Sequence, residues 1–154
     1  MPVSIRVADS DDYELVGDNV AKLIHELFPE HEDLYPRSKM INAAKELLQK
    51  GTGVWALIAT SASGETIGVL TLNECAAISA GGSFGEIYEL YVSPNARSKE
   101  VGWDLIQAAA NFGRVRGWPH MEVGAPDLPR WQRSYDFYLN HGFKEVGPRL
   151  ELLL

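Results

Sequence analysis

A single α/β domain with a mixed sheet flanked by helices is what this chain predicts, and three observations predict it. Short β-branched and aromatic runs alternate with longer stretches whose apolar residues recur every three or four positions. Gly and Pro clusters mark most changes of period. The resulting order, βαα-ββ-β-α-β-α-ββ, interleaves strands with helices, which is the layered α/β arrangement.

Residues 4–8 alternate and read as the first strand. Asp9 or Ser10 caps a helix with Leu15, Val16, Val20, Leu23, Ile24 and Leu27 at helical spacing, and Phe28-Pro29 ends it. The acidic Glu30-His31-Glu32-Asp33 connects to a second helix, from Ser38 toward Lys50, and Gly51-Thr52-Gly53 breaks the chain. Residues 54–60 and 66–73 make a hairpin across Ser61-Ala62-Ser63-Gly64. The small, Gly-rich stretch 76–85 reads as a mobile loop before a strand over 86–92. A central helix over about 99–116 carries Val101, Leu105, Ala109, Phe112 and Val115 on one face. Gly117-Trp118-Pro119 stops it, and 120–123 return as a strand. Asp127-Leu128-Pro129 sets up a helix through Asn140, with Gly142 as its C-cap. Residues 144–146 and 150–154 form a last hairpin over Gly147-Pro148.

The chain's 154 residues are one domain's worth and enough to bury a sizeable core. No apolar run reaches the length of a membrane span and no signal peptide opens the chain, so the expected location is the cytoplasm. One cysteine, Cys75, excludes an intrachain disulfide and a multi-cysteine zinc site. His25, His31, His120 and His141 lack metal-ligand spacing, so no metal is expected. A net charge of −7 argues against nucleic acid as the main partner. Its distribution says more. Residues 1–96 hold 14 acids and 6 bases, net −8, and residues 97–149 hold 6 acids and 8 bases, net +2. A cationic substrate prefers the first part and an anionic cofactor the second.

The most informative stretch is Ile87-Tyr88-Glu89-Leu90-Tyr91-Val92, followed by Pro94-Asn95, a basic loop and an amphipathic helix. Such a strand–loop–helix junction exposes backbone N–H groups where the helix dipole is positive, which favours a phosphate-bearing ligand. Late in the chain stands Phe137-Tyr138-Leu139-Asn140-His141-Gly142-Phe143.

With the strand ending Leu90-Tyr91-Val92 and the Arg97-x-x-x-x-Gly102 loop, this ordered set resembles the GNAT superfamily of acyl-CoA-dependent N-acetyltransferases. The opening Ile5-Arg6-Val7-Ala8-Asp9-Ser10-Asp11-Asp12 is similar to that family's first strand and helix cap, so the resemblance covers nearly the whole chain. It implies a GNAT-like, mostly antiparallel sheet of six to seven strands flanked by about four helices. It also implies acetyl-CoA as co-substrate and direct transfer of the acetyl group to a primary amine within a ternary complex. The acidic first part points to a small-molecule acceptor, and peptide or protein N-termini stay open as the other acceptor class. The alternative is a non-catalytic acyl-CoA-binding domain that regulates a partner.

The resemblance places pantetheine contacts on the backbone of Leu90, Tyr91 and Val92. It places pyrophosphate contacts on Arg97, Ser98, Lys99, Glu100, Val101, Gly102 and Trp103. The family pattern there is Arg or Gln, two residues, Gly, one residue, Gly or Ala. This chain has Glu100 at the first glycine, so glycine there is expected to tighten CoA binding while weakening the helix. Trp131 stands where many relatives have a cofactor-contacting asparagine.

Acyl transfer needs a neutral amine, a donor for the oxyanion and a proton for the thiolate. Tyr138 matches the family's general acid. Glu86 and Glu89 are candidate bases; three apart on one strand, they are expected on opposite faces, and Glu89 lies nearer the transfer point. Finally, Leu150-Glu151-Leu152-Leu153-Leu154 is too apolar for a free edge strand, which predicts a homodimer.

Overall fold

The alternating run at the start forms strand β1 (Ser4–Val7), and Asp9 turns the chain into a helix. The Asp9 carboxylate accepts from the Asp11 N–H at 2.9 Å while Asp12 accepts from the Asp9 N–H at 2.9 Å. This reciprocal cap closes a single 3₁₀ turn that leads into α1 (Tyr13–Leu27), and α2 (Arg37–Leu47) folds back against it. The computed structural model describes residues 3–154, apart from the side chains of Ser98 and Lys99.

Four further strands follow: β2 (Val54–Thr60), β3 (Thr66–Ala77), β4 (Gly82–Val92) and β5 (Met121–Val123). Helix α3 (Val101–Arg116) connects the last two, and α4 (Gln132–Asn140) comes after them. The sheet has the order β1-β2-β3-β4-β5, with antiparallel pairing from β1 through β4. The chain divides into two compact units, one ending at Glu122 and the other running from Val123 to Leu154.

In the first unit each face of the sheet takes its own helix layer. Val16 of α1 packs with Ala56, Ile58 and Val69 on one face. On the other, a methyl at Gly68 would lie 3.0 Å from Leu105 and 3.3 Å from Val101, both of α3. The α3 stripe runs through the buried Val101, Leu105, Ala109 and Gly113. Val115, expected on that stripe, is exposed. The ring of Trp118 lies 2.6 Å from where a Gly113 side chain would begin, so the i+4 row ends there.

Two expectations about strands are corrected. Residues 76–85 are mostly a continuation of the β3–β4 hairpin, with Cys75↔Phe84, Ala76↔Ser83 and Ala77↔Gly82 in register. Small side chains permit the ladder, and Gly81 and Gly82, at φ +77° and +141°, supply the turn. Among the described residues the sheet has five strands, not six or seven, because residues 144–146 and 150–154 form none. Pro148 has no N–H for a ladder, and Gly147 sits at φ +134°, so the run never forms a paired hairpin.

Candidate active site

The site's first component is a β-bulge in β4. Pairing runs Thr71↔Glu89 and then Leu72↔Ile87, so the register shifts at Tyr88, the inserted residue of the bulge. Directly opposed residues share a face, and Glu86 stands opposite Asn73. Thr71 and Asn73 are two apart on β3 and point the same way. Glu86 and Glu89 therefore lie on one face, the face covered by α1. The expectation of opposite faces fails because a bulge inserts one residue between them and resets the alternation. Sequence spacing gives no sign of a bulge at Tyr88.

Glu89 is half-buried, and burial pushes its carboxyl above the usual range. A hydrogen bond from the Thr71 hydroxyl opposes that rise, while the Glu89 N–H donates to the same hydroxyl at 3.0 Å. Thr71 has no motif to mark it, and only the strand register reveals it. Glu86 is buried, with the Cys75 thiol 3.8 Å from its Oε1. Tyr91 follows on the same face and is buried.

The second component is the junction between β4 and α3. A 3₁₀ turn over Pro94–Lys99 ends at Glu100, which adopts a left-handed conformation at φ 59°, ψ 18°. Helix α3 begins at Val101, so Glu100 sits just outside it and not in its first turn. The family pattern's glycine was the available signal, since glycine marks positions that need positive φ. The left-handed residue curls the chain so that the N–H groups of Val101, Gly102 and Trp103 stand at a helix N-terminus, a concavity suited to an anion. The Ser98 and Lys99 side chains, assigned there from sequence, lie outside the described residues.

Arg97 is already engaged. Its Nε donates to the Val92 carbonyl at 2.9 Å and its other arm to Glu26 of α1 at 2.7 Å. The guanidinium lies 5.7 Å from the Tyr91 ring centroid, and Glu26 raises its pKa further. Leu90, Tyr91 and Val92 pair with Leu70, Val69 and Gly68 along β3. On the other side of β4, the Gly85 N–H donates to the His120 carbonyl at 3.2 Å.

In the second unit, Tyr138 lies on α4 between Phe137 and Phe143, each 5.4 Å away ring to ring in edge-on contact. Burial pushes its hydroxyl up to about 12. Gly142, at φ +95°, ends the helix, and the Phe143 N–H returns to the Tyr138 carbonyl at 3.1 Å. Trp131 immediately precedes α4 and carries the Arg130 guanidinium 5.3 Å from its ring. Among the described residues, no group of three or more His, Cys, Asp or Glu is arranged to hold a metal.

A family model described as the acetyltransferase (GNAT) family matches residues 20–143. No curated protein matches the chain. Among solved structures it is similar to a ribosomal-protein-alanine N-acetyltransferase from Brucella melitensis biovar Abortus 2308, at 19% identity and TM-score 0.76 over 99% of this chain and 100% of that one. It is similar to an aminoglycoside acetyltransferase from an uncultured soil metagenomic sample, at 22% identity and TM-score 0.80 over 100% and 99%. An aminoglycoside N-acetyltransferase in complex with CoA matches at 20% identity and TM-score 0.75 over 99% and 95%. At these identities the likeness shows the fold.

Proposed function

Since the chain belongs to the GNAT acetyltransferase family, we propose that it transfers an acetyl group from acetyl-CoA to the primary amine of a small cationic molecule, as one domain over residues 1–154 and directly within a ternary complex. The observation that carries the reading is Glu89, a half-buried carboxylate with a raised pKa on the strand that runs into the α3 junction. Such a group holds a proton more readily than an exposed carboxylate does, which suits a base in acyl transfer.

Acetyl-CoA supplies the activated acyl thioester. Main-chain groups of Leu90, Tyr91 and Val92 hold its pantetheine arm, and the N–H groups of Val101, Gly102 and Trp103 take its pyrophosphate, with Arg97 in the same loop. Glu89 accepts the proton that the amine loses as its nitrogen bonds to the acyl carbon, directly or through a water held by Glu86. Tyr138 is the general acid. Burial keeps its phenol protonated across the working pH range, and it donates to the sulfur as the carbon–sulfur bond breaks. The net −8 of residues 1–96 favours a cationic acceptor, in keeping with the aminoglycoside enzymes among the structural relatives. Among the described residues no helix is long and apolar enough to cross a membrane.

The second reading is a non-catalytic acyl-CoA sensor. Glu100 at the anion loop and the pairing of Arg97 with Glu26 favour it, since both set negative charge beside the phosphates. Release of CoA is the deciding measurement, with acetyl-CoA and a panel of aminoglycosides, polyamines and a peptide bearing an N-terminal alanine. Turnover with an aminoglycoside or polyamine supports the proposal. Turnover with the peptide alone overturns the small-molecule acceptor, and CoA binding without turnover supports the sensor.

A further inference from the structure

Thr71 has one hydroxyl proton, and two of its hydrogen bonds engage the same residue. The Oγ1 atom accepts from the Glu89 N–H at 3.0 Å, so its proton is directed to Glu89 Oε1. The arrangement depends on the bulge, which turns Glu89 to the face of Thr71 and replaces a main-chain acceptor with this side chain. Thr71 is 6% exposed, which limits water as a substitute partner. Directly opposite on β2 stands Ala56, whose side chain has no polar atom. Branching at Cβ restricts the side chain to few rotamers, so the hydroxyl keeps its aim.

We propose that Thr71 is the positioning residue of the candidate base: its hydroxyl holds Oε1 of Glu89 and leaves Oε2 as the oxygen that receives the proton. This rests on Glu89 acting as the base. The hydroxyl also favours the ionised carboxylate and so offsets part of the effect of burial. Other ionisable groups on this face are Glu86 and Tyr91 of β4 and Cys75 of β3, with Arg97 and its partner Glu26 of α1 beyond Tyr91. They remain in place when Thr71 is changed.

The test is a carbon NMR titration of the glutamate carboxyls in the protein alone, with the Glu89 signal identified by its loss in Glu89→Gln. Thr71→Val should raise the Glu89 midpoint by about one pH unit, a tenfold change in proton affinity, as expected for losing one hydrogen bond to a charged group. Thr71→Ser should restore it. In the unmutated protein the Thr71 Cβ resonance should titrate with the Glu89 midpoint, a readout that survives if the valine variant does not fold. Identical midpoints in all three proteins, a serine variant that behaves like valine, or a Thr71 resonance indifferent to Glu89 would each overturn the proposal. Full CoA release by Glu89→Gln with a working amine would instead remove Glu89 as the base and leave the hydrogen-bond result standing.

Discussion

Glu89 is held at a cost to stability. Its folded pKa lies above the unfolded value, so the folded state binds the proton more tightly. Stability then falls as pH rises from the unfolded range near ~4.3 through the folded value. Glu89→Gln keeps an oxygen for the Thr71 hydroxyl and removes the charge. It should raise the melting temperature at neutral pH, with the gain vanishing below about pH 4. The same change should lower the maximal rate by roughly a hundred- to ten-thousandfold. A variant equally stable at both pH values would show that Glu89 is not a desolvated carboxylate. Tyr138→Phe should cut the maximal rate roughly ten- to a thousandfold with little change in CoA affinity, measured by calorimetry beside steady-state kinetics. Glu100 supplies a third test. Because it precedes α3 in a left-handed conformation, glycine there loses no helix and relieves strain of about 1 kcal/mol. Glu100→Gly should raise thermal stability and tighten CoA binding, most at low salt. Weaker, salt-insensitive binding would mean that the carboxylate faces away from the phosphates.

Among the elements, the α1–α2 pair depends on one missing side chain. A methyl group at Gly17 would lie 2.5 Å from the Ile41 Cα, inside contact distance of backbone that cannot swing away. Alanine ordinarily gains up to about 1 kcal/mol over glycine within a helix. Here the clash should outweigh that gain, and Gly17→Ala should destabilise by about 1–3 kcal/mol in urea unfolding. A more stable variant would show that α2 shifts freely. At the far end of the sheet, Trp118 is fastened on three sides. Its indole N–H donates to Glu74 at 2.6 Å, Arg116 grips the same carboxylate at 2.9 Å, and Gly85 and Gly113 leave room for the ring. This pins the end of α3 to the hairpin and so orients the helix whose other end follows Glu100. The boundaries of such elements were largely legible because caps and breakers are local: Asp9, Phe28, Gly117 and Gly142 each act on their own turn.

For the whole molecule, assembly is the open quantity. Leu150, Leu152, Leu153 and Leu154 are each more than 80% exposed, and they form no strand. The edge-strand argument for a dimer lapses, while apolar surface that wants covering remains. The homodimer should appear in light scattering at micromolar concentration as about twice the 17.0 kDa chain mass, and a clean monomer mass would exclude it. What the sequence determined by itself is the alternation of strands and helices, the loop-to-helix junction after β4 and the aromatic company of Tyr138. Each depends on residues close together in the chain, where period, capping and composition act directly. What the tertiary structure decided is non-local. The bulge at Tyr88 turns Glu86 and Glu89 to one face, Thr71 meets Glu89 across the ladder, and Glu26 reaches Arg97 from α1. Register arises from two strands pairing under a shared core, so a one-residue slip that reverses which way a carboxylate points leaves no mark on either strand alone.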